Sequence, residues 1–143
     1  MLQIRGWRRF HKDIYARRAV LAEIVRRIVS VTNPEQILLF GSGARNQMRR
    51  RSDLDLLIIT ATEVEDRRAL ARSIYANLFG IPVPVDIVIE SADNVARARR
   101  EAWTFLGNIL RDGKCIYRAT GDEPGSGAVR GPAFFGASRV RGM

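Results

Sequence analysis

Apolar and polar residues alternate along the chain in two distinct patterns, one helical and one strand-like. Three segments with apolar residues at every third or fourth position predict amphipathic helices: residues 11–32, 63–79 and 92–110. Four short apolar runs predict β-strands: residues 37–40, 54–60, 83–89 and, as a small edge strand, 115–117. The order of these elements predicts an α/β (α+β) fold, with a small mixed β-sheet of three to four strands flanked by helices.

The third predicted helix has a start signal, an inward face and a stop signal. Ser91 is the expected N-cap, and Asp112-Gly113 is expected to form a turn after the helix. The residues expected to point into the core lie at helical spacing: Ala98, Ala102, Phe105 and Ile109.

The pattern stops near residue 119. Residues 1–118 contain every predicted element and are long enough for one domain with its own core. Residues 119–143 are rich in glycine and proline, a composition typical of disorder, so we expect a disordered tail. No apolar stretch approaches the roughly 20 residues of a membrane span, and the N-terminus lacks the apolar core of a secretory signal. These features predict a cytoplasmic protein with no membrane partner.

The chain is basic, with a net charge of +9 from 24 Lys and Arg against 15 Asp and Glu. This balance favours polyanionic partners such as nucleotides, RNA or an acidic protein surface, although a merely soluble basic surface explains it equally well. Cys115, the single cysteine, excludes an internal disulfide and a cysteine-based metal site. His11, the single histidine, excludes a site built from several histidines.

Three aspartates occupy positions that packing alone does not explain. Asp53 and Asp55 flank the start of an apolar strand and are two residues apart, so their side chains are expected on the same face. Asp86 lies inside the apolar run 83–89, and it can join them if that strand is adjacent. Repulsion between these charges would be relieved by a divalent cation, and carboxylates completed by substrate phosphates are the usual ligands of Mg²⁺.

Gly41 and Ser42 follow the first predicted strand directly. Glycine lets the backbone approach a ligand closely, and a helical turn beginning at Ser42 would present its hydroxyl and free backbone N–H groups to an anion. A turn that binds phosphate, ten residues before a pair of acids that binds metal, indicates a nucleotide-handling site.

The combination "LFGSGAR", "SDLDLLI", "VPVDIVI" and "ILRDGKCIY" resembles the nucleotidyltransferase superfamily related to DNA polymerase β, and in particular its smallest branch, the minimal nucleotidyltransferases. The resemblance implies that Asp53, Asp55 and Asp86 are catalytic and hold Mg²⁺, with two ions expected. It also implies that Asp86 accepts a proton from the attacking hydroxyl, and that Gly41, Ser42 and Arg45 bind the phosphates of ATP. One position departs from the family: Asn46 stands where a glycine is usual.

In this branch the resemblance implies a two-gene toxin–antitoxin module whose nucleotidyltransferase is the antitoxin and whose partner is a HEPN-type RNase toxin. Three hypotheses follow. The first is an enzyme that transfers AMP to a hydroxyl of that partner, with a homo- or hetero-oligomer expected. The second is an antitoxin that acts by occlusion, with a vestigial nucleotide site. The third is a nucleotidyltransferase acting on RNA or on a small molecule, which the basic charge would suit.

Overall fold

The computed structural model describes residues 5–41, 53–101 and 103–120 of the chain. The elements in these parts are, in chain order, α1 (Arg5–Thr32), β1 (Gln36–Phe40), β2 (Leu54–Thr60), α2 (Arg67–Asn77), β3 (Val85–Ser91), α3 (Ala92–Ala98), α4 (Phe105–Asp112) and β4 (Lys114–Arg118).

The four strands form one mixed sheet in the order β3-β2-β1-β4. β1 pairs antiparallel with both β2 and β4, whereas β2 and β3 are parallel and are connected through α2. Helices flank this sheet, so the predicted fold class is confirmed. The predicted adjacency of the two acid-bearing strands is also present in the structure.

Two apolar clusters, one on each face of the sheet, make the core. Leu56 and Ile58 of β2 lie in the cluster that includes residues of α1 and α2. Leu57 and Ile59, which alternate with them, lie in the cluster formed with α3 and α4. β2 is therefore covered on both faces, which explains why its sequence is an uninterrupted apolar run rather than an alternating one.

Several predicted boundaries differ from the observed ones. α1 begins at Arg5, six residues before its predicted start at residue 11. α2 begins four residues later than predicted because Asp66 caps it, its Oδ1 accepting a hydrogen bond from Ala69 N–H at 2.9 Å. β3 begins at Val85, after the carbonyl of Pro84 has accepted a hydrogen bond from Leu54 N–H at 2.9 Å.

The prediction of one continuous helix over residues 92–110 is wrong. The chain forms α3 and α4 instead, because the Thr104 hydroxyl accepts a hydrogen bond from Gly107 N–H at 3.0 Å and starts a new helix. Ala98 and Ile109 are buried as predicted, but Phe105 is 70% exposed and does not belong to the core. Ala102 lies outside the described residues.

The other local predictions can be compared directly. Ser91 is the N-cap of α3, with its hydroxyl accepting a hydrogen bond from Asn94 N–H at 3.3 Å, so that prediction is confirmed. The predicted edge strand is the centre of β4, and Cys115 within it is a half-buried free thiol. The expected tail lies, from residue 121 onward, outside the described residues. No helix in the described parts of the chain is long and apolar enough to cross a membrane.

β3 forms one edge of the sheet, and α2 covers backbone groups on its open side. Ile87 N–H donates to the Tyr75 hydroxyl at 3.0 Å. Arg67 Nη1 donates to the carbonyl of Ile89 at 3.1 Å and also forms an ion pair with Glu90 at 3.0 Å. Because Ile87 and Ile89 are two residues apart, these two side chains occupy consecutive hydrogen-bonding positions along the strand edge.

Removing a core side chain of β2 tests the packing of the sheet in the cluster that includes residues of α1 and α2. We expect Leu56→Ala to lower the free energy of unfolding by about 2–5 kcal/mol, because Leu56 is completely buried and the truncation leaves a cavity. The matched control is Phe79→Ala, which removes an apolar side chain that is 89% exposed and should change stability by no more than about 0.5 kcal/mol. Urea denaturation of both variants measures the difference, and equal effects would contradict the assigned core.

Candidate active site

Parallel pairing of β2 and β3 brings two of the predicted acids side by side. Asp55 and Asp86 are each the second residue of their strand, and they are direct register partners. Leu54 and Leu56, on either side of Asp55, belong to the cluster with α1 and α2, so Asp55 lies on the opposite face, toward α3 and α4. Asp53 precedes β2 and is exposed, as is Asp86, whereas Asp55 is half-buried.

The neighbouring negative charges act on Asp55. The pKa of Asp55 is raised above its ordinary value, first by burial and then by the negative charges of Asp86 and Asp53. Ionised Asp55 is therefore held in an unfavourable environment by the rest of the site. A cation placed among these carboxylates would reverse the sign of that interaction.

The donor set suits Mg²⁺ in its chemistry. Carboxylate oxygens are hard ligands, and Mg²⁺ is commonly held by one or two carboxylates together with substrate phosphates rather than by a complete protein cage. Across the described ranges no group of three or more His, Cys, Asp or Glu side chains is arranged to hold a metal ion. Asp55 and Asp86, as register partners, supply the two carboxylates that this smaller requirement calls for. The assignment of all three as metal ligands stays a prediction.

Gly41 is required at its position for two reasons. Its φ of +68° lies in the left-handed region, which favours glycine. In addition, a Cβ at residue 41 would collide with Oδ2 of Asp55. The turn after β1 therefore passes so close to the central carboxylate that no side chain fits between them. The sequence predicted a glycine here for close approach to a ligand, whereas the structure shows close approach to the Asp55 carboxylate, so the role of Gly41 in binding phosphate stays a prediction.

The remaining predicted phosphate-binding residues lie outside the described residues. These are Ser42 and Arg45, together with Asn46, where the chain departs from the family pattern. Their roles remain predictions.

The structure adds an aromatic border that the sequence did not reveal. Phe40 is the register partner of Asp55 across β1 and β2, and the ring of Phe105 lies edge-on to that of Phe40, with the centroids 6.5 Å apart. The sequence pattern predicts Phe105 in the core of a continuous helix, whereas the structure exposes it. The signal that could have corrected this is Thr104, a good N-cap residue directly before it.

These carboxylates together can attract a cation and accept a proton. A cation held there would in turn attract the phosphates of a phosphorylated ligand. The acids concerned are the second residues of β2 and β3, together with Asp53 directly before β2.

Comparisons with known proteins give a family and a fold. The model of the family described as "Polymerase beta, Nucleotidyltransferase" matches residues 22–122, well over half of the 143 residues. The structure is similar to the 1.40 Å crystal structure of a proposed nucleotidyltransferase from Sulfolobus solfataricus, with a TM-score of 0.50 and 19% sequence identity over 71% of this chain and 79% of that one. At that identity the structural similarity supports the fold alone. No curated protein matches the chain significantly.

The contact between Gly41 and Asp55 can be isolated by comparing two glycines. Gly80 also has a positive φ, +86°, but a Cβ there would meet nothing within 4 Å. We expect Gly80→Ala to lower the free energy of unfolding by about 1–2 kcal/mol through the backbone alone. Gly41→Ala should lower the free energy of unfolding by more than Gly80→Ala does, because the collision with Asp55 adds to the same backbone penalty.

A double-mutant cycle measured by urea denaturation tests this assignment. In an Asp55→Ala background the colliding oxygen is gone, so Gly41→Ala should lower the free energy of unfolding by no more than Gly80→Ala does. If Gly41→Ala and Gly80→Ala have equal effects in the wild-type background, the close approach is not present in solution.

Asp55 should also make stability depend on pH. The pKa of Asp55 is raised from its ordinary value of 3.8 when the protein folds. Between pH 3.8 and the raised pKa, Asp55 therefore holds more protons in the folded protein than in the unfolded chain. Stability should therefore fall as the pH increases through this window. Asp55→Asn, which cannot ionise, is expected to be more stable than the wild type at neutral pH and similar to it below pH 3.8. Urea midpoints in chelator-containing buffer on both sides of the window provide the measurement, and lower stability of Asp55→Asn at neutral pH would contradict it.

Proposed function

The chain belongs to the polymerase β nucleotidyltransferase family, and on that premise we propose that it transfers a nucleoside monophosphate, AMP from ATP, to a hydroxyl group in a reaction that needs Mg²⁺. The observation that carries this proposal is the register pairing of Asp55 with Asp86 at the start of two parallel strands. Asp53, whose charge raises the pKa of Asp55, completes the set of acids.

The role proposed for each residue is the one that the family resemblance implies. Asp53, Asp55 and Asp86 would hold the Mg²⁺ ions, which when bound supply positive charge to the triphosphate and polarise its α-phosphate. Asp86 would also accept the proton of the attacking hydroxyl. Gly41 lets the turn after β1 lie directly against the carboxylate of Asp55. The hydroxyl oxygen forms a bond to the α-phosphorus, the bond from that phosphorus to the β-phosphate oxygen breaks, and pyrophosphate leaves.

The proposed acceptor is a hydroxyl of a partner protein. Support comes from the sequence resemblance to the minimal branch, in which such a chain is the antitoxin of a HEPN-type toxin. We therefore propose that the partner chain supplies and positions the acceptor.

An RNA acceptor is a second candidate, and one observation favours it. The connection between α3 and α4 exposes Arg99 and Arg100 together with Trp103, which is 83% exposed. Cationic side chains next to an exposed aromatic ring are the combination that binds single-stranded nucleic acid, through phosphate contacts and base stacking. The net charge of +9 agrees with this alternative.

Transfer of radiolabel from α-³²P-ATP in lysate of the source cells tests the proposal. With Mg²⁺ we expect a labelled protein band that survives RNase treatment and disappears when a chelator removes the metal. Asp55→Asn and Asp86→Asn should each reduce labelling by at least about a hundredfold, because they remove charge that the reaction requires. Glu65→Gln, which neutralises an exposed acid in the connection before α2, is the matched control and should label normally.

Three other outcomes would each exclude part of the proposal. Label that is lost on RNase treatment would establish RNA as the acceptor. Label that does not depend on Asp55 and Asp86 would exclude these residues as the catalytic site. A complete absence of transfer, with the partner protein still bound, would leave the non-catalytic antitoxin that acts by occlusion.

A further inference from the structure

Phe105 is an exposed aromatic residue that the proposed catalytic roles do not use. It is the first residue of α4 and is 70% exposed, although a phenylalanine gains about 1.5–3 kcal/mol when it is fully buried. Single exposed apolar residues are common on proteins, so exposure alone indicates nothing. Its location is the informative feature, because it lies beside the acids rather than at an arbitrary place on the surface.

The path from Asp55 to Phe105 has two steps. Asp55 and Phe40 are cross-strand partners, so their side chains lie on the same face of the sheet and next to each other. The rings of Phe40 and Phe105 are then in edge contact, at an interplanar angle of 86°. Phe105 therefore borders the site on the face that Asp55 and Asp86 share.

Phe105 has two local supports. The hydrogen bond from Gly107 N–H to the Thr104 hydroxyl stabilises the backbone of the first turn of α4, and the edge contact with Phe40 restricts the Phe105 ring on one side. A ring whose motion is already restricted loses less conformational freedom when a flat ligand stacks on it.

We infer that Phe105, supported by Phe40, stacks on the base of the nucleotide whose phosphates lie at the three acids, an inference that rests on the proposed function. Transfer requires the α-phosphate at Asp55 and Asp86, and in a nucleotide the base is separated from that phosphate by one ribose. In the protein, Phe105 is separated from Asp55 by one side chain, Phe40. Because every base has a π-face, this contact adds affinity for nucleoside triphosphates without selecting among bases.

The test compares two ligands that share phosphates and differ in the base. Dissociation constants are measured with Mg²⁺ for an ATP analogue that carries a methylene bridge between the α- and β-phosphates, and for inorganic tripolyphosphate, which has no base. Phe105→Ala should weaken binding of the analogue on the order of tenfold, as expected for the loss of one stacking contact, and should leave tripolyphosphate binding unchanged. Phe105→Tyr, which keeps an aromatic face, should bind both ligands as the wild type does.

Phe79→Ala is the matched control. Phe79 is 89% exposed and follows α2, which packs on the opposite face of the sheet from Asp55. Its truncation should change neither constant. Equal weakening of both ligands by Phe105→Ala, or an unchanged constant for the analogue, would overturn the stacking role while leaving the proposed function intact. Failure of the wild type to bind either ligand would overturn the proposed function itself, and the inference with it.

Discussion

The parallel pairing of β2 with β3 is the constraint on which the rest of the site depends. Parallel strands run in the same direction, so residues at equal positions in the two strands meet at one end of the sheet. Here that geometry makes Asp55 and Asp86 neighbours although 30 residues of sequence, including all of α2, lie between them. β1 then runs antiparallel on the other side of β2, and its last residue, Phe40, ends opposite Asp55. The turn at Gly41 follows from that register.

Placing charge at this point destabilises the fold, and the apolar core compensates. Asp55 is half-buried among like charges, which raises its pKa, and the backbone of Gly41 passes directly against its carboxylate. The five residues that follow Asp55 in β2 are all buried, and the four apolar ones among them pack in the clusters formed with helices on both faces of the sheet. The unfavourable charge at this end of the sheet is tolerated because the packing around it is strong.

Those parts of the structure that depend on local pattern could be predicted from the sequence. The apolar run of β2, the N-cap at Ser91 and the mixed sheet follow from periodicity and capping chemistry. The break between α3 and α4 could not be read from periodicity, because Ala98, Phe105 and Ile109 continue the helical spacing across it. Only the competing cap at Thr104 interrupts that spacing, and a cap of that kind contributes about 1 kcal/mol. The aromatic border was missed for the same reason, because the position of Phe105 beside Phe40 depends on where α4 begins.

The hydrogen bonds from α2 to the open edge of β3 have a consequence for misfolding. The unpaired N–H and C=O groups of an uncovered edge strand can form hydrogen bonds with a strand of a second polypeptide. Such pairing between chains leads to aggregation. In this chain Tyr75 and Arg67 hold backbone groups of Ile87 and Ile89 that an added strand would need. The same helix buries Ile74 in the core, so loss of α2 would expose both apolar surface and an unpaired edge at once. The folding of one short helix thus protects the acid-bearing strand from intermolecular assembly.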